Sequence, residues 1–120
     1  MAVALDHMSV PARDKVATAE FFARLFGVAY EGPRRDYAPV IVNANLTLNF
    51  EASAVPETHH YAFRVEGPEF DAVLDRVRQA QIPFGTSTRV QDGEVYAREG
   101  VRGFFFQDPN GHGLEIITRE

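Results

Sequence analysis

The order of helix and strand patterns repeats once along this chain, and that repeat limits the possible folds more tightly than anything in the composition. The first half opens with VALDHMSVPA (3–12), which alternates as a strand does and carries Pro11 near its end. Asp14 then stands as a cap for KVATAEFFARLFG (15–27), where Ala19, Phe22 and Phe26 recur at helical spacing and Gly27 supplies a stop. Three short β-type runs follow at 28–32, 38–44 and 46–52, parted by turn formers at Gly32-Pro33 and from Asn43 to Asn45. With HHYAFRV (59–65) the pattern begins again. Gly67-Pro68 opens a second helix, PEFDAVLDRVRQAQ (68–81), with Phe70, Val73, Leu74 and Val77 on one face. Strand runs follow at 83–90, 102–107 and 112–118. The spacing predicts an α+β fold made of two βαβββ modules, about 1–53 and about 58–120, within a single domain over 1–120.

The repeat also aligns two histidines. His7 lies seven residues before Asp14, and His60 lies seven before Gly67, so the two occupy equivalent strand positions of the two modules. Side chains alternate across a strand, which sorts each run into a helix-facing set and an open set. His7 and Ser9 oppose Met8 and Val10, and Thr47, Asn49 and Glu51 oppose Leu48 and Phe50. In the fifth run His60, Ala62 and Arg64 oppose Tyr61, Phe63 and Val65. In the last, Gly113, Glu115 and Ile117 oppose Leu114 and Ile116. A carboxylate in so apolar a strand costs several kcal/mol, roughly, unless a partner meets it, and the open faces offer His7 and His60. If both helices cover one face, the other becomes a polar cup. Two neutral imidazoles and one carboxylate are a common nitrogen and oxygen set for a divalent ion, and three protein ligands leave positions free.

Composition bears on the ligand chemistry. The chain has no cysteine, so disulfides and thiolate ligands are excluded and any metal must be held by nitrogen and oxygen. A net charge of -5 argues against general affinity for nucleic acid or an anionic membrane; the basic residues are scattered apart from the pair Arg34 and Arg35. No run approaches a membrane span, and the first ten residues carry no positive charge ahead of their apolar ones, so a cytoplasmic protein is expected.

From LDHMSV through HHYAFRV to FFFQDPNGHGLEIIT, the sequence resembles the vicinal oxygen chelate superfamily, which includes glyoxalase, bleomycin-resistance and extradiol dioxygenase proteins. The aromatic strand, the Asp-Pro-Asn-Gly turn and the strand with Glu115 two residues after Gly113 look like that family's closing hairpin. The resemblance implies paired βαβββ modules forming a mixed β-sheet cup around one divalent metal ion (Fe, Mn, Zn or Ni), with His7, His60 and Glu115 as ligands. It also implies a homodimer acting on a small molecule. Asn49 stands where glyoxalase I-like members carry a fourth ligand, and Phe105 stands where fosfomycin-resistance transferases carry a tyrosine. The expected function is a metal-dependent enzyme, glyoxalase-like or dioxygenase-like, chelating two oxygens of a small oxygen-rich or aromatic substrate. The alternative is a binding protein that sequesters a drug or metabolite in the same cup without turnover.

The remaining candidates share the open face. Glu51 is the unassigned carboxylate of suitable parity and is the candidate general base. Ser9, Asn49, Arg64 and Phe105 are candidate substrate contacts, with an ion pair to Glu51 or another acid as the competing expectation for Arg64. Phe104 and Phe106 are expected in the core. His59 has the opposite parity from His60 and is expected at the surface, as is His112 in its glycine-flanked turn. Tyr96 and Arg98 are expected in a polar loop.

Overall fold

The computed structural model describes residues 3–119. Two compact units emerge, Met1–Glu57 and Thr58–Glu120. In the first, β1 (His7–Ala12) leads into α1 (Lys15–Phe26), followed by β2 (Tyr37–Ile41) and β3 (Thr47–Ala52). The helix begins where Asp14 accepts the Ala17 N–H at 3.0 Å and stops at Gly27, whose φ of 69° lies in the left-handed region. The strands form one sheet in the order β1-β3-β2, with β1 parallel and β2 antiparallel to β3. Val10, Ala12, Ala38, Val40, Leu48 and Phe50 turn inward. Against them α1 buries Ala19, Phe22 and Leu25, and the Phe22 and Phe50 rings meet at 4.9 Å. The opposite face carries His7, Ser9, Thr47, Asn49 and Glu51, exposed or half-buried.

In the second unit, β4 (His60–Arg64) leads into α2 (Gly67–Gln79), then β5 (Phe84–Gly85), β6 (Tyr96–Arg98), β7 (Val101–Gln107) and β8 (Gly113–Arg119). Pro68 sits in the first turn of α2, and Glu69 pairs with Arg76 at 3.6 Å along it. The sheet runs β4-β8-β7-β5 with β6 also on β7; β4 and β8 are parallel and the other pairs antiparallel. Phe70, Val73 and Val77 of α2 are buried, as are Phe84, Phe104, Phe106, Leu114 and Ile116 of the sheet.

Two expectations need correction. The run at 28–32 is not a strand: the chain there is irregular, and its nearest approach to pairing is the Arg34–Tyr37 bridge. Gly32, at φ 98°, followed by Pro33, breaks any ladder before it can form. The expected run at 83–90 shrinks to two paired residues, because the loop beyond Gly85 folds back on the strand. A Cβ at Gly85 would run into the Val90 carbonyl and the Asp92 backbone.

Candidate functional site

The site in the second unit is assembled by strand register. In the parallel β4–β8 pair, His60 stands opposite Gly113 and Ala62 opposite Glu115, so His60 and Glu115 are diagonal neighbours on one face. Their side chains close that diagonal, with His60 Nε2 3.0 Å from Glu115 Oε1. The closing turn holds the register. Asp108 Oδ1 accepts the N–H groups of Asn110 and His112 at 2.9 and 2.8 Å, folding the turn inward. There His112 Nδ1 accepts the His59 N–H at 3.1 Å, and the Gly113 N–H donates to the His59 carbonyl at 2.9 Å. His112 is therefore fully buried, contrary to the exposed turn histidine expected, because its hydrogen bonds tie β8 to the start of β4. His59 is exposed, its ring stacked on that of His112.

The other carboxylate oxygen of Glu115 is taken by a residue expected in a loop. Tyr96 lies in β6, opposite Gly103, and donates its hydroxyl to Glu115 Oε2 at 2.6 Å. A Cβ at Gly103 would overlap the Tyr96 ring, so the glycine within the aromatic strand makes the room through which the phenol reaches Glu115. Burial, and then the hydrogen bond and charge of Glu115, push the Tyr96 phenol up to about 12, so it stays protonated and donating at neutral pH. Arg98 stacks on the same ring at 5.3 Å. The signal for Tyr96 was Gly103 itself, since an isolated glycine in a strand marks a close approach.

Phe105 stands opposite Glu115 in β7, its ring 5.7 Å from that of His60 and 5.9 Å from that of Tyr96. It forms one wall of an open pocket of about 500 Å³ that Tyr96, Arg98, Thr86, Ser87 and Glu115 also line. The His60 side chain is 53% exposed and that of Glu115 15%, so a largely covered carboxylate meets a solvent-facing imidazole. Arg64 lies on the same face of β4, exposed, and makes no ion pair among the described residues.

His7, Ser9 and Asn49 lie on the open face of the first unit, with His7 opposite Thr47 and Ser9 opposite Asn49. His7 Nδ1 is 2.8 Å from Asp6 Oδ2, which leaves Nε2 available. The Glu51 carboxylate, half-buried opposite Pro11 and Tyr37, makes no hydrogen bond or ion pair among the described residues.

No group of three or more histidine, aspartate or glutamate side chains gathers at metal-binding distance among the described residues. The pair His60 and Glu115 nonetheless fits such an ion: two donors about 2.1 Å from one metal and roughly at right angles are about 3.0 Å apart. The Tyr96 bond to Glu115 and the Asp6 contact with His7 are hydrogen bonds of the kind that, at metal centres, orient carboxylates and imidazoles.

No family model and no curated protein matches the chain. Solved structures do. One described as oxidase ChaP-H1 is 34% identical, with 99% of this chain and 98% of that chain covered and a TM-score of 0.88. Another, oxidase ChaP-H2, is 35% identical over 100% and 96% of the two chains at a TM-score of 0.89. A glyoxalase / bleomycin resistance protein from Catenulispora acidiphila, 20% identical over 98% and 100%, shares the fold at a TM-score of 0.71. The chain belongs to the vicinal oxygen chelate superfamily. Its α+β architecture of two sheets and few helices is that superfamily's fold.

Proposed function

We propose that the chain is a metal-dependent enzyme that oxidises a small hydroxylated aromatic molecule with dioxygen, using His7, His60 and Glu115 to hold one divalent ion. The observation that carries this reading is the 3.0 Å pairing of His60 Nε2 with Glu115 Oε1, the second oxygen of the same carboxylate being held by Tyr96. Relatives described as oxidases, at 34% and 35% identity, favour oxidation over isomerisation. When bound, the ion supplies Lewis-acid polarisation of two adjacent substrate oxygens. The remaining work falls to the chain's own side chains. Tyr96 keeps the Glu115 carboxylate from rotating, and Phe105 offers an apolar wall for a ring. Ser9, Asn49 and Arg64 supply hydrogen bonds to substrate oxygens. Glu51, whose carboxylate has no hydrogen bond among the described residues, is the acceptor for a substrate hydroxyl proton.

Metal analysis of the purified protein, with dioxygen uptake on a panel of catechols, tests the proposal. About one divalent ion per chain is expected, lost in Glu115→Ala and in His60→Ala, with uptake lost in parallel. A protein that takes up no Fe, Mn, Zn or Ni, or a Glu115→Ala variant that keeps its metal, would refute the ligand set. Catechol binding that survives metal removal, with no dioxygen consumed in any metal form, would make the protein a sequestering one.

A further inference from the structure

The open face of the first unit carries a pocket of about 680 Å³ that none of the three proposed metal ligands lines. Along β2 it is lined by Tyr37 and Pro39, alternate residues on the open side of the strand. Along β3 it is lined by Thr47 and Asn49, and Thr47 is the register partner of His7. At its rim the turn from Arg34 to Tyr37 closes with two backbone hydrogen bonds, Arg34 N–H to the Tyr37 carbonyl at 2.8 Å and Tyr37 N–H to the Arg34 carbonyl at 3.1 Å. That turn brings two adjacent arginines to one pocket. Neither guanidinium makes an ion pair or hydrogen bond among the described residues. Glu31 also lines the pocket, so two cations face one anion in a protein whose net charge is -5.

Guanidinium is weakly hydrated and its fork of donors matches a carboxylate. A tyrosine ring and a proline beside it make a flat apolar strip, and threonine and asparagine offer hydrogen bonds along its edge. We infer that this pocket binds an aromatic carboxylate, its ring on Tyr37 and Pro39 and its anionic group held by Arg34 and Arg35. The volume is that of an ordinary small-molecule site. Through Thr47, the pocket runs up to the strand position of His7. This names the substrate class for the proposed enzyme and rests on that reading for its catalytic meaning; the binding itself does not.

The probes are 2-naphthoate and 2-naphthol, rings of the same size that differ in charge at neutral pH, titrated by calorimetry in the presence of a chelator. Naphthoate is expected to bind at least tenfold more tightly than naphthol, with the preference shrinking as salt rises. The double variant Arg34→Gln, Arg35→Gln should abolish the preference. Arg35 adopts a φ of 56°, so Arg34→Gln with Arg35→Gly removes both charges while easing the backbone and serves if the first variant folds poorly. Glu31→Gln should tighten naphthoate binding severalfold. Equal binding of the two probes, no naphthoate binding at millimolar concentration, or a preference that survives both double variants would overturn the inference. Glu115→Ala separates the two proposals: naphthoate preference must persist there even as metal is lost. Loss of the preference in the arginine variants while metal uptake fails in the wild type would sink the metal reading alone.

Discussion

Tyr96 and Gly103 act as one device, since the phenol reaches Glu115 only because β7 has no side chain at position 103. Outer hydrogen bonds to metal ligands are commonly worth about tenfold to a hundredfold in metal affinity. Tyr96→Phe is accordingly expected to weaken divalent metal binding about tenfold by chelator competition, and Gly103→Ala at least as much by displacing the ring. Equal affinities in wild type and Tyr96→Phe would remove the phenol from the site. Asp92 plays a comparable part in the loop before β6: Oδ1 accepts the N–H groups of Thr86 and Glu94 at 3.2 and 3.1 Å, and Oδ2 the Thr86 hydroxyl at 3.0 Å. Desolvation works to raise its pKa, but these hydrogen bonds outweigh it and hold the carboxyl below its ordinary 3.8. A depressed folded-state value means stability present above 3.8 and lost as pH falls through the lower one. Urea midpoints should therefore favour wild type over Asp92→Asn at neutral pH, with the gap closing below pH 3.8. A gap unchanged down to strong acid would count against the carboxylate role.

At the scale of elements, the alternation of β1, β3, β4 and β8 was legible because one face of each is apolar, and a two-residue period then assigns every side chain to a side. Thus Leu114 and Ile116 are buried while Glu115 turns the other way. Less visible were features set by partners distant in sequence. β6 is three residues long and too short to show a period; it exists because β7 offers it an edge. The run at 28–32 looked strand-like by composition but has no such edge. His112 looked exposed because glycines flank it, yet the Asp108 side chain draws it inward, where it accepts the His59 N–H. Truncating His112 leaves a cavity and an orphaned N–H at the start of β4, a loss of about 2–4 kcal/mol. His112→Ala should show that loss in urea unfolding and should also weaken metal binding, because the register that brings His60 to Glu115 is loosened. A variant as stable as wild type would leave the turn without this structural role.

Across the whole molecule, each unit buries its own aromatic core, Phe22 and Phe50 in one and Phe70, Phe104 and Phe106 in the other. The ligand proposal names His7, His60 and Glu115, and its stabilising effect can be tested at each of the three residues separately. A ligand that binds only the folded form stabilises it by RT ln(1 + [L]/Kd), about 2.7 kcal/mol at a hundredfold excess over Kd. For a chain of this size that is a rise of roughly 10 °C in unfolding temperature. Titrating the metal-free protein with a divalent ion should raise the midpoint by that order. The shift should vanish in His7→Ala as fully as in Glu115→Ala, although neither change empties a core position, since His7 is exposed and Glu115 half-buried. A shift that survives His7→Ala would show that the second unit holds the ion without it, through His60 and Glu115 with solvent completing the coordination.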